Sequence, residues 1–136
     1  RLYFAGLTGD GRHWRQLRNG LKGTYRMDTT NTILLADLQE LRALLAQGWC
    51  QGTDAKDKSG NHVRCKAHNA ASWCLFGGVE KVVHLHKNPS ERSARMVKAM
   101  RIETGRPIAG WNDWPRRTQA EVLAMLDRVI ATAMIK

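Results

Sequence analysis

Residues 31–48 read NTILLADLQELRALLAQG, and this stretch decides the fold class of the chain. One side of it carries leucines at spacings of four, three and four, at Leu34, Leu38, Leu41 and Leu45. This periodicity is typical of an α-helix that buries one apolar face. Thr30 or Asn31 can cap its start, and Gly48 is suited to a left-handed stop at its end. The sequence therefore predicts an amphipathic helix here.

Three further helices are predicted downstream of Gly48. The first covers residues 69–87, with Asn69 as its cap. The second starts at Asn88-Pro89-Ser90-Glu91, which combines a cap, a proline at the first helical position and an acidic residue in the first turn, and it ends at Gly105. The third starts at Thr118, with Glu121 at the capping-box spacing. Residues 106–117 between them are expected to form a loop.

The predicted fold class is mainly α, a compact bundle of four helices that allows one small β-hairpin within residues 49–64. The turn of that hairpin would be Asp57-Lys58-Ser59-Gly60, because Gly tolerates positive φ and Asp and Ser bond to their own backbone. Gly77-Gly78 would let a neighbouring helix approach closely. The predicted core consists of Leu34, Leu38, Leu41, Leu45, Leu75, Val79, Val82, Val97, Val122, Leu126 and Ile130.

The composition is that of a folded domain, whereas the positive charge is unevenly distributed along the chain. Of its 136 residues, 43% are hydrophobic and 25% are charged, which are ordinary values for one folded domain. The net charge is +10, and residues 1–26 hold six basic residues against one acidic residue. We predict a basic Gly-rich segment over residues 1–26, either an accessory extension or an arm that orders on a partner. A single helical domain is predicted over residues 27–136.

The three cysteines and the hydropathy pattern bear on location. An odd number of cysteines argues against a disulfide framework and favours a reducing compartment. The sequence contains no apolar run long enough to span a membrane. A cytoplasmic protein without a membrane partner is therefore expected.

A set of short motifs resembles a known family. The motifs are Gly48-Trp49, the stretch from Ala70 to Gly77, and Trp111-Asn112-Asp113 followed by Arg117-Thr118 and Glu121-Val122. Over about residues 33–131 the chain is similar to a family of small uncharacterised bacterial and phage proteins, a domain of unknown function. The resemblance implies a phage or mobile-element accessory setting and brings no activity with it. The pattern of that family lacks Cys50, Cys65 and His68.

Cysteine and histidine residues raise two chemical hypotheses. Thiolate and imidazole ligands suit zinc, for which the candidate ligands are Cys50, Cys65, His68 and Cys74. Their spacing lacks the paired form of established zinc sites, which favours unrelated surface and core residues and no cofactor. Cys74 near a helix start could also be a catalytic nucleophile, with His68 or His84 as its base and Asn112 or Asp113 to orient that base. No pattern brings these residues together, so core packing of Cys74 is favoured and an enzyme is not.

Basic residues and tryptophans favour a binding function instead. Along the predicted helix after Asn88, basic residues recur every third position, at Arg92, Arg95, Lys98 and Arg101. Such a stripe can be a solvated face, or it can attract acidic groups. Trp111 and Trp114 are candidate aromatic anchors, although Trp111 could equally cover the edge of the core. We therefore expect a non-catalytic protein that docks on an acidic protein partner. The alternatives are a nucleic-acid-binding protein and, below it, a small zinc-binding or Cys-dependent enzyme domain.

Overall fold

Helix α1, Lys22–Gln47, carries the leucine face that the sequence predicts. The structure is a computed structural model that describes the backbone of residues 22–135 and the side chains of residues 29–135. Residues 1–21 of the predicted N-terminal segment lie outside the described residues. The predicted start of α1 at Thr30 or Asn31 is wrong, because helical hydrogen bonding already includes both residues. Once a helix exists, each further residue adds a hydrogen bond, so Thr and Asn are tolerated in its interior.

Three two-residue strands follow α1 and form one antiparallel sheet in the order β2-β1-β3. These strands are β1 Ala55–Lys56, β2 His62–Val63 and β3 Ser72–Trp73. Ala55 faces Val63 on one side and Trp73 on the other. The predicted turn is present: the Asp57 carboxylate accepts the N–H groups of Ser59 and Asn61, and Gly60 has a φ of +87°. The hairpin thus lies within residues 49–64, and β3 adds a strand that the sequence did not predict.

Helix α2, Leu75–Val83, begins later than predicted. The expected cap at Asn69 is wrong, because the residues after it join the sheet and the Cys74 side chain caps the helix by accepting the Gly77 N–H. Backbone bonds hold this arrangement, from Ala71 N–H to the Lys56 oxygen and from Cys74 N–H to the Asp54 oxygen. Long-range pairing therefore outweighs the local helix preference of residues 69–74.

Three more helices complete the described chain: α3 Pro89–Thr104, α4 Ile108–Asn112 and α5 Gln119–Ile135. Helix α3 ends at Gly105 in the left-handed conformation, as predicted. Thr118 and Glu121 form the predicted capping box, since each side chain accepts the other residue's backbone N–H. The short helix α4 lies where a loop was expected. The class is mainly helical as predicted, but residues 22–135 contain five helices instead of four.

The core joins all these elements. Eight of the predicted core residues are buried, while Leu34, Val97 and Ile130 are partly buried and pack against them. The core also contains Trp73 of β3, Met96 and Met100 of α3 and Ile108 of α4. Helix α2 contacts α3 and α4, and α3 contacts α5. Helix α3 is consequently packed on several sides and leaves one face to solvent.

Three glycines permit close approaches. Gly48 lacks the predicted left-handed conformation, and a Cβ there would collide with the backbone oxygen of Ala71. The predicted close helix approach occurs at Gly78, where a Cβ would lie 2.7 Å from Leu41 Cδ1 of α1. A Cβ on Gly77 would collide with the backbone oxygen of Asp54. The sheet and α1 therefore both pack on the first turns of α2.

We expect Gly77→Ala to lower the free energy of unfolding by about 2 kcal/mol or more, because backbone atoms of the sheet segment must move. Gly110→Ala in α4 is the control, since no atom lies within 4 Å of a Cβ there. It should change stability by less than about 1 kcal/mol and favour the helix. Urea unfolding of the two variants measures the difference. Equal stabilities of the two variants would show that the backbone near Gly77 can shift without lowering the free energy of unfolding.

Candidate docking surface

Helix α3 begins with unusual geometry. Asn88 is at the N-cap position as predicted, but it has φ 56° and ψ 51°, and its side chain makes no capping hydrogen bond. Capping side chains normally belong to residues in the extended region, so this backbone conformation explains the missing bond. Pro89 follows in the first turn, and Met96 and Met100, one turn apart, are the buried residues of α3.

Arg92, the first residue of the predicted basic stripe, is bound to the protein itself. Its guanidinium donates two hydrogen bonds to the Asp37 carboxylate of α1, at 2.9 and 2.7 Å. The Asp37 side chain is 2% exposed and the Arg92 side chain 16%. The hydrogen bond to Asp37 raises the pKa of Arg92 above its ordinary value. Arg92 therefore links α1 to α3 and compensates a buried charge.

The other three residues of the stripe face solvent. Arg95 contacts Glu91 one turn earlier at 3.3 Å, and their side chains are 38% and 66% exposed. Lys98 and Arg101 are exposed, and neither side chain has a hydrogen bond or ion pair within residues 29–135. We call Arg95, Lys98 and Arg101 the basic face of α3. The charges of the basic face can interact with another molecule, whereas the charge of Arg92 is already paired with Asp37.

A groove of about 470 Å³ lies beside the start of α3. The turn after α2 contributes Leu85, which is 84% exposed, and α1 contributes the partly buried Ile33. The polar part of the lining contains Asn88 and four basic side chains, His86, Lys87, Arg92 and Arg95. No carboxylate is among the lining residues. Arg95 belongs to both the groove and the basic face.

The two candidate tryptophans differ in exposure. Trp111 is 9% exposed, and the Arg117 guanidinium lies 3.8 Å above its ring while also donating to its backbone oxygen. Trp114 is 54% exposed. Trp111 thus covers the edge of the core, which was the structural alternative for this residue. Of these two tryptophans, Trp114 is the one whose ring is largely exposed.

Asn112 between them is 1% exposed and joins three segments. Its side-chain oxygen accepts from Trp49 Nε1 at 2.7 Å and from the Leu75 N–H at 3.1 Å. Its side-chain nitrogen donates to the Cys50 backbone oxygen at 3.2 Å and to the Asp113 carboxylate at 2.9 Å. Sequence reasoning expected only local turn bonds here. The spacing of Ile108, Trp111 and Asn112 on one helical face was the signal that could have indicated burial.

The candidate zinc ligands are not brought together within the part of the chain that the structure describes. Among the described residues, Cys50, Cys65, His68 and Cys74 do not form a group of three ligand atoms within 4.8 Å. Burial raises the pKa of each of the three thiols, so the thiolate form is disfavoured. Cys74 and Asp113 both line a smaller cavity of about 190 Å³, but the exposed His68 is not part of it.

A different acidic cluster contains Asp37, Glu40 and His86, which sequence reasoning missed. Both Asp37 oxygens already accept from Arg92, and His86 Nε2 lies 3.7 Å from Glu40. Arg92 therefore already uses both Asp37 oxygens of this cluster. No sequence spacing could have indicated it, because its residues come from α1 and the turn after α2.

A comparison with known protein families gives a match over most of the chain. A model of a family of unknown function, DUF6197, matches residues 29–132. The chain belongs to this family. The predicted resemblance over residues 33–131 to a domain of unknown function is thereby confirmed. Neither a curated protein nor a solved structure matches the chain.

The part that matches DUF6197 includes the sheet, the Asn112 contacts, the groove and the basic face. Among the helices described for this DUF6197 domain, none is both long and apolar enough to cross a bilayer.

We expect Arg92→Met in this DUF6197 domain to cost about 3 kcal/mol of unfolding free energy, because it leaves the buried Asp37 charge without a partner. Asp37→Leu combined with Arg92→Met should recover most of that loss. Arg95→Met is the control and should cost less than about 1 kcal/mol, because its pair with Glu91 is on the surface. Urea unfolding compares the three. Equal losses for Arg92→Met and Arg95→Met would contradict the structural role of Arg92.

Proposed function

We propose that this domain is a non-catalytic binding protein that docks on an acidic protein partner through the basic face of α3. The observation that carries the proposal is the division of the stripe, in which Arg92 is used inside the protein and Arg95, Lys98 and Arg101 are presented to solvent. Exposed charges of one sign accelerate the encounter with a partner of opposite sign. The phage or mobile-element setting and the cytoplasmic location stay predictions from the sequence.

The firm attachment of α3 supports this proposal. Met96 and Met100 of α3 are 0% exposed, and the Arg92 pair fixes its first turns to α1. A surface held in one conformation loses little entropy when it binds. Trp114, with about half of its surface exposed, is a candidate aromatic anchor, and Trp111 is no longer part of the proposed surface.

The distribution of acidic residues favours a protein over nucleic acid. Glu91 lies beside Arg95, and Glu103 of α3 pairs with Arg128 of α5 at 2.8 Å. In sequence, these two carboxylates precede and follow the basic face, so the run of basic residues on α3 is short. Binding to nucleic acid draws on several phosphate contacts along a continuous basic track. Ile102, which directly follows Arg101, is 69% exposed, and such apolar exposure suits a protein surface better.

A charge-reversal experiment tests the proposal. Lys98→Glu with Arg101→Glu should fold normally, since both side chains are exposed and unpaired among the described residues. This double variant should capture severalfold less acidic protein than the parent protein from a nuclease-treated lysate of the native cells. The difference should be largest at low salt, because the variant repels acidic groups that the parent attracts. Quantitative mass spectrometry of the captured proteins is the measurement.

Lys58→Glu with Lys66→Glu is the matched control, because it changes the net charge equally at exposed positions in and after the hairpin. It should retain the capture of the parent protein. Equal capture by the two double variants would contradict the proposal. Binding that is lost on nuclease treatment would contradict it as well and favour the nucleic-acid alternative.

A further inference from the structure

The groove beside the start of α3 has an apolar part that the basic face does not explain. Leu85 is 84% exposed. Burial of a leucine side chain away from water is favourable, and Leu85 does not gain this free energy in the structure. Ile33 of α1 lines the same groove. A single exposed leucine is common on protein surfaces. Here, however, it lies in a concavity of about 470 Å³ together with a second apolar side chain.

The charged side chains that line the groove have one sign. The charged lining residues are Lys87, Arg92 and Arg95, with His86 beside them. Asp37 neutralises Arg92, so Lys87 and Arg95 are the cations that can meet a ligand. The bond of Arg95 to Glu91 is a single contact of 3.3 Å between exposed side chains. Such pairs are worth little, so Arg95 can exchange Glu91 for another carboxylate.

We infer that the groove binds a peptide segment of the acidic partner in which one apolar side chain is flanked by Asp or Glu. The inference rests on the proposed function and names the segment that the partner must contain. The apolar side chain contacts Leu85 and Ile33, and the flanking carboxylates contact Lys87 and Arg95. The volume lies within the range of roughly 300–1,000 Å³ that is usual for ligand pockets, enough for one side chain and its neighbours.

Continuity with the basic face favours a polypeptide over a small acid. Arg95 lines the groove, and Lys98 and Arg101 follow it on the same helix. A chain that leaves the groove along α3 therefore meets two further cations. A small acidic ligand would use the groove alone and leave these cations unexplained.

Selection from a random peptide library on the immobilised full-length protein tests the inference. We expect the enriched peptides to contain Leu, Ile, Met or Phe beside Asp or Glu. A peptide with the enriched motif should bind about tenfold more tightly than the same peptide with its apolar residue replaced by Ser, as measured by fluorescence anisotropy. Leu85→Ser should reduce this ratio to about one.

Ile135→Ser is the matched control, because Ile135 is 86% exposed and lies at the end of α5, outside the groove. It should leave the tenfold ratio unchanged. Acidic peptides without an apolar preference would overturn the inference and leave the proposed function standing. Enrichment of non-acidic peptides, or no enrichment, would contradict both. A ratio that Leu85→Ser does not change would place the apolar contact elsewhere and overturn the inference.

Discussion

The side chain of Asn112 makes the contact on which the rest of the structure depends. It is almost completely buried and bonds to residues before the sheet, at the start of α2 and directly after α4. A buried amide is tolerated only when its donors and acceptors are all used, and here each of its atoms has two partners. Because Trp49 and Cys50 directly follow α1 through Gly48, this side chain fixes where the chain turns back towards α2.

The position of α3 follows from that arrangement. Helix α2 packs on α1 at Gly78 and also contacts α3, so the elements around Asn112 support α3. The Asp37–Arg92 pair then fixes the rotation of α3, because a bidentate bond to a buried carboxylate allows one orientation. With that rotation set, Arg95, Lys98 and Arg101 face solvent. Two buried polar contacts thus determine which basic residues are available to a partner.

The sequence predicted those features that depend on local spacing. The leucines of α1, the Thr118 capping box and the Asp57–Gly60 turn each need only neighbouring residues, and all three are present. It failed where distant atoms compete, as at Ser72 and Trp73, which pair with β1 instead of starting a helix. Spacing placed Arg92 and Arg95 in one stripe. Spacing could not show that Asp37 of α1 binds Arg92 and not Arg95. The groove could not be predicted either, because its lining residues come from elements that are distant in sequence.

The free energy of unfolding of Asn112→Ala tests the central role of Asn112 most directly. Removing the amide leaves Trp49 Nε1, the Leu75 N–H and the Cys50 oxygen without their partner, and each such loss costs roughly 1–3 kcal/mol. The account predicts a loss of about 3 kcal/mol or more in urea unfolding, whereas Asn69→Ala at an exposed position should be nearly neutral. A loss for Asn112→Ala no larger than that for Asn69→Ala would contradict it.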